Sequence, residues 1–157
     1  MDWAFLGQLG VVICFGMAAM GSALGINAAG RAAAGAWTKD AKAGKRLPFN
    51  YIIFIGAPIS QTFYAMIVMN QMSTFIKAAG ADVAGHTGLL LGIGLTTGVG
   101  EFISAWVQGL IGAAACRCLS EGEGKGLAFL LIAIGIIETV GIFTMVFMLG
   151  MVPKVGG

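Results

Sequence analysis

Charge is what this chain has least of. Only 10% of its 157 residues are Asp, Glu, Lys or Arg, where a soluble domain usually carries about 25%. With 58% hydrophobic residues and a mean hydropathy of +0.92, a soluble globular protein is excluded. Long apolar runs without alternating polarity argue against a closed barrel, whose strands are short and alternate. Histidine occurs once, as His86 in a short polar turn, where a solvated side chain is expected. The three cysteines, Cys14, Cys116 and Cys118, do not form a metal-ligand set, because Cys116-x-Cys118 lacks the second half of a zinc site. No Gly-x-x-x-x-Gly-Lys-Ser/Thr run exists, so no P-loop is expected. The N-terminus lacks a basic n-region, and its first apolar run is too long for a signal h-region, so the first helix is expected to be retained.

What the chain does have is four apolar stretches, each long enough for the ~20 residues a bilayer helix needs. Trp3–Gly30 and Leu47–Ile76 carry no charge, Val83–Cys116 holds one acid, Glu101, and Leu127–Met151 holds one acid at its middle, Glu138. The basic residues sit between the stretches. Arg31, Lys39, Lys42, Lys45 and Arg46 flank the first connection and Arg117 and Lys125 the third, while the middle connection and the termini hold only Lys77 and Lys154. The positive-inside rule then places connections one and three in the cytoplasm and both termini outside. Basic loops can also meet nucleic acid, but beside membrane spans they read as topology signals, and no nucleic-acid partner is expected.

Helix one is expected over about Phe5–Ala36, followed by a loop at Thr38–Arg46. Helix two should run over Pro48–Ala78 with a kink at Pro58, which lacks an N–H and clashes with the preceding turn. Helix three is expected over Gly88–Leu119, and helix four from Leu127 to near Pro153. Helices one and three are dense in glycine, and Gly21-Ser-Ala-Leu-Gly25 is a small-xxx-small element that lets backbones approach closely in lipid. The halves look duplicated. An offset of 82 superposes Leu9, Gly10, Gly16, Ser22, Ala23, Gly30, Ala32 and Ala33 on identical residues, and an offset of 79 does so for Ile53, Ile55, Gly56, Met66 and Met69. The fold read from this is an all-α membrane protein of four transmembrane helices, built as two fused helical hairpins, residues 1–79 and 80–157. In that register Ile59 stands where the second half has Glu138, so only the second hairpin carries the acid.

A lone carboxylate near the bilayer centre costs roughly 3 kcal/mol or more, so it marks a functional site. Ala57, Ser60, Gln61 and Tyr64 share one face of helix two, and Glu101, Ser104 and Gln108 share one face of helix three. At 1.5 Å per residue, Gln61 and Glu138 each lie about 20 Å from their basic ends, and Gln108 about 14 Å. The oxygens that could meet there are one carboxylate, two amide carbonyls, a hydroxyl and a main-chain carbonyl near the Pro58 kink. Hard cations prefer oxygen ligands, and one negative charge among neutral dipoles suits a monovalent ion. Glu101 lies about 10 Å outward of Gln108 and could line an exit path, face a ring interior or pair with a neighbouring subunit; a structural or interfacial role is expected.

Ala57-Pro58-Ile59-Ser60-Gln61-Thr62-Phe63-Tyr64, the glycine-rich helices and the acid of helix four together resemble the proteolipid (K or c) subunit of V-type rotary ATPases, in its sodium-translocating, four-helix form. The resemblance covers nearly the whole chain, with Ala57 and Ile59 standing where that family has Leu and Gly. It implies a Na⁺ site in which Glu138 supplies a carboxylate, Ser60 a hydroxyl, Gln61 and Gln108 side-chain oxygens and Ala57 its main-chain carbonyl, with Tyr64 locking the carboxylate. It also implies a homo-oligomeric ring in the lipid bilayer of a bacterial or archaeal cell membrane. That ring would turn against a stator subunit with half-channels and attach to a central stalk through the cytoplasmic loops. ATP chemistry would lie elsewhere in the complex. Two alternatives stay open: the same rotor protein translocating H⁺, with no Na⁺, or a small four-helix cation-coupled transporter.

Overall fold

Glycine and alanine decide how the helices pack. In the computed structural model, which describes residues 4–154, the chain folds into α1 (Ala4–Lys42), α2 (Tyr51–Gly56), a 3₁₀ turn (Ala57–Ile59), α3 (Ser60–Ala79), a second 3₁₀ turn (Gly80–His86), α4 (Thr87–Glu121) and α5 (Leu127–Met151). Trp3, where the first apolar run begins, lies outside the described residues. Four helical segments are long and apolar enough to cross a membrane, with α2, the turn and α3 forming the second of them. The all-α, four-span architecture expected from the sequence is present.

α1 and α4 form the inner pair and run parallel, Gly10 lying against Gly94 and Gly25 against Gly109. A methyl at Gly10 would stand 2.5 Å from the Leu90 carbonyl oxygen, and one at Gly21 2.5 Å from the Phe102 α-carbon. Side chains larger than hydrogen cannot be placed there, so the two backbones touch. Close approach of this kind replaces the hydrophobic drive that lipid does not supply. α3 and α5 pack outside this pair, and α5 is the least covered, with Phe129, Ile136 and Phe147 largely exposed.

Two apolar clusters hold the bundle. One, around Cys14, Val68, Met72 and Leu90, lies towards the chain termini; the other, around Ala33, Phe54, Ala115 and Ile134, lies towards the connections 43–50 and 122–126. Between them is a band of buried polar residues, Gln61, Glu101, Ser104 and Gln108.

One boundary and one side chain differ from the sequence reading. The expected loop at Thr38–Arg46 is helical as far as Lys42. Its polar residues are satisfied by distant partners: buried Asp40 accepts from Tyr51 Oη at 2.9 Å and from Ser120 Oγ at 3.0 Å. His86 is half-buried rather than solvated, with its ring edge-on to Phe75 at 5.3 Å.

Candidate functional site

Pro58 sets the site's backbone. Its missing N–H prevents an α-helical bond to Phe54, and the chain tightens into the 3₁₀ turn Ala57–Ile59 where the sequence predicts a kink. The carbonyl of Pro58 is met from α1, where Ser22 Oγ donates to it at 2.6 Å and accepts from Thr62 Oγ1 at 2.7 Å. The turn is thus pinned to the inner layer.

Immediately after it, three oxygens gather. Ser60 Oγ lies 2.9 Å from the Ala57 carbonyl and 3.1 Å from Gln61 Oε1, and its single proton can serve only one of them at a time. One helical turn on, Tyr64 Oη donates to Glu138 Oε1 at 2.8 Å, bridging α3 to α5. Glu138 is half-buried on the outer side of the bundle, so it is reachable from lipid or from a partner while being held by Tyr64.

The expected site residues therefore form two pieces and one outlier. Ala57, Ser60 and Gln61 come together, and Tyr64 meets Glu138. Gln108 is fully buried at the same band, but neither its amide nitrogen nor its oxygen has a hydrogen-bond partner among the described residues. A buried amide left unpaired costs about 1–3 kcal/mol, so Gln108 has hydrogen-bonding capacity that none of the described residues uses. Among the described residues no three His, Cys, Asp or Glu side chains gather as a metal-holding group. A cation in this band would be held by hydroxyl, amide and main-chain oxygens beside a carboxylate.

Two side chains of the helix-three face have surroundings that the sequence reading did not give. Ser104 is fully buried, accepts from Gln61 Nε2 at 3.3 Å and donates to the Ile137 carbonyl at 3.1 Å. It fixes the orientation of the Gln61 amide and ties α4 to the peptide just before Glu138. Its place on the Glu101–Ser104–Gln108 face was visible, but its partners are a main-chain oxygen and an amide on other helices, which no local spacing reveals. The second is Glu101. The sequence reading let it line an exit path, face a ring interior or pair with a neighbouring subunit, and favoured a structural or interfacial role; it is fully buried within the chain, next to Gly141 of α5 and the Gln61 and Ser104 side chains. Small facing residues make the room: glycine at 141 leaves space that any other side chain would take.

The Ser104 bond has a counterpart. Ser22 and Ser104 are related by the offset of 82, and the carbonyls they cap, Pro58 and Ile137, by the offset of 79. The same serine-to-carbonyl tie recurs in both helix pairs.

A family model described as the C-subunit of ATP synthase matches residues 9–72 and, a second time, residues 91–151, together well over half of the chain. The first match holds Ala57, Ser60, Gln61 and Tyr64, and the second holds Glu101, Ser104, Gln108 and Glu138. Comparison with curated proteins gives no match.

Proposed function

The chain belongs to the ATP synthase C-subunit family, and from that premise we propose that it is the four-helix, V-type form of the rotor protein and carries Na⁺ on Glu138. Members of the family are non-catalytic, ion-translocating subunits of a rotary ATPase, typically assembled as a homo-oligomeric ring against a stator subunit. What is specific to this chain is the ion and the residues that hold it.

The observation that carries the sodium reading is the cluster at Ser60, whose hydroxyl lies within 2.9 Å of the Ala57 carbonyl and 3.1 Å of Gln61 Oε1. A proton needs only the carboxylate and one acceptor. A desolvated Na⁺ needs several oxygens to replace its water, and a 3₁₀ break followed by Ser-Gln supplies three on one side of the second span. Gln108, buried and unpartnered, supplies the amide oxygen from α4. Glu138 gives the compensating charge. Tyr64, one helical turn beyond Ser60, holds that carboxylate on the side of the oxygen cluster. Once neutralised, the site can face lipid while the ring turns, without the penalty of a bare charge.

We read residues 1–79 and 80–157 as the two hairpins, with only the second carrying the acid, so each chain brings one Glu138 to the ring. The connections 43–50 and 122–126 face the cytoplasm and the central stalk, and the termini face outward. The membrane is the cell membrane of a bacterium or archaeon.

The test is carbodiimide labelling of Glu138 in the purified ring, followed by peptide mapping so that Glu138 and Glu101 are scored apart. Carbodiimides attack the protonated acid, whereas a bound cation keeps it ionised. Na⁺ is expected to protect Glu138, at lower concentration as pH rises and protons compete less, while K⁺ at equal ionic strength does not. Absence of Na⁺ protection at every pH replaces the sodium reading with the proton-carrying one.

A further inference from the structure

One acid has no part in the site described above. Glu101 is fully buried on α4, and neither of its carboxylate oxygens has a hydrogen-bond partner among the described residues. The ion pairs found among those residues, Lys39 with Glu121 and Lys45 with Glu123, lie at the far connections. A bare carboxylate in a low-dielectric interior is too costly to persist. A proton would remove the charge, its O–H donating to a hydroxyl oxygen nearby; a small cation would use the same oxygens without neutralising the acid.

Where the carboxylate points narrows the choice. Glu101 Oε2, Gln61 Cγ and Ser104 Oγ lie 2.6, 3.3 and 3.3 Å from the place a methyl at Gly141 would occupy. Gly141 is about one turn along α5 from Glu138. Ser104 Oγ accepts from Gln61 and donates to Ile137, which leaves its second lone pair free. Thr97, one turn of α4 before Glu101, is likewise fully buried with an unpartnered hydroxyl.

Comparison of the two helix pairs shows that acid and opening occur together. At the offsets of 82 and 79, Glu101 corresponds to Ala19 and Gly141 to Thr62. In the first pair the Thr62 hydroxyl fills the space and bonds Ser22. In the second, the threonine is a glycine and a carboxylate enters in its place. The exchange is confined to the half that carries Glu138.

We propose that Glu101 is a second cation-binding carboxylate, holding a monovalent cation with the hydroxyls of Thr97 and Ser104, so that each chain carries two exchangeable cations. This rests on the cation-carrying reading of Glu138 and deepens it. The cation is monovalent because one carboxylate among neutral hydroxyls supplies one negative charge, and an unbalanced second charge would be exposed to the lipid penalty. The two positions share Gln61, whose oxygen faces Ser60 and whose nitrogen faces Ser104. Occupancy of one therefore orients the amide for the other.

The experiment is equilibrium dialysis of the intact ring, depleted of Na⁺ and titrated with ²²Na⁺ at alkaline pH. Two Na⁺ per chain are expected for the wild type. Glu101→Gln is expected to bind one, and so is Gly141→Ala, which keeps the acid but puts a methyl where Oε2 stands. Glu138→Gln is expected to retain one. A single Na⁺ per chain in both the wild type and Glu101→Gln overturns the proposal and leaves the Glu138 reading standing. Two per chain in both also overturns it, since the second ion then sits elsewhere. No Na⁺ on the wild type overturns both readings together. The wild-type count needs no variant, and migration of the ring on a native gel checks that each variant assembles.

Discussion

At the scale of single residues, the bond from Tyr64 Oη to Glu138 Oε1 is the feature most open to test. Tyr64→Phe removes one donor and keeps the ring in place. A hydrogen bond to a charged group contributes about 1.5–3 kcal/mol, so the Na⁺ concentration that half-protects Glu138 from carbodiimide should rise by roughly one to two orders of magnitude, at 1.4 kcal/mol per tenfold. Ser60→Ala takes away a neutral oxygen and should weaken protection in the same direction, while proton uptake at Glu138 survives. Ala57→Leu should do little, because the oxygen at that position belongs to the main chain. Glu138 and the helix-two face were legible in the sequence, since an acid inside an apolar run and polar residues at helical spacing are local patterns. The work of Ser104 was not, because its role depends on which carbonyl of another helix lies opposite it.

The elements pack by the same logic of removal. A methyl at Gly109 would overlap the backbone of Gly25, and one at Gly94 the backbone of Gly10. Neither helix can yield without breaking the α1–α4 pair, so overpacking should cost about 1–3 kcal/mol or more at each position. Gly109→Ala and Gly94→Ala are therefore expected to lower the melting temperature of the solubilised protein or to prevent ring assembly. Gly30→Ala, which meets nothing within 4 Å inside the chain, serves as the comparison; equal effects at all three positions would refute the close-approach account. The glycine density of helices one and three made close backbone approach legible, because small residues are what such packing requires. The end of α1 was misread for a complementary reason. Thr38, Lys39 and Asp40 look like loop residues along the chain, yet Asp40 is met by Tyr51 and Ser120, 11 and 80 residues away. Long-range hydrogen bonds keep that last turn helical, and no window of sequence contains them.

For the molecule as a whole, charge marks one end. Lys45 and Glu123 pair at 2.9 Å and join the connections 43–50 and 122–126, which places both at the same end of the bundle. The Lys45 ammonium holds the Glu123 carboxyl below its ordinary range, through a hydrogen bond first and charge attraction second. A carboxyl lowered in this way favours the tied form above the ordinary carboxylate pKa, and that preference fades as pH falls through the lowered value. Both partners are solvent-exposed, so salt weakens the pair. Acidification below the carboxylate range should therefore lower the protection of the 122–126 amides, measured against the unstructured-chain exchange rate at the same pH, while the helices stay protected. Which side of the membrane this end faces is testable by the same geography. Seven basic residues flank these two connections, and two flank the other end, which is the ground for proposing that the connections face the cytoplasm. Cys118 is exposed near this end, whereas Cys14 and Cys116 are buried. Wild-type chain should already react with a membrane-impermeant maleimide from the cytoplasmic side. In a Cys118→Ser background, Lys42→Cys should restore that labelling in inverted vesicles and show none in right-side-out ones. Labelling of position 42 from the outside would invert the topology. The stalk-facing and outward-facing ends would then exchange, while the buried band from Gln61 to Gln108 would keep its place midway along the helices.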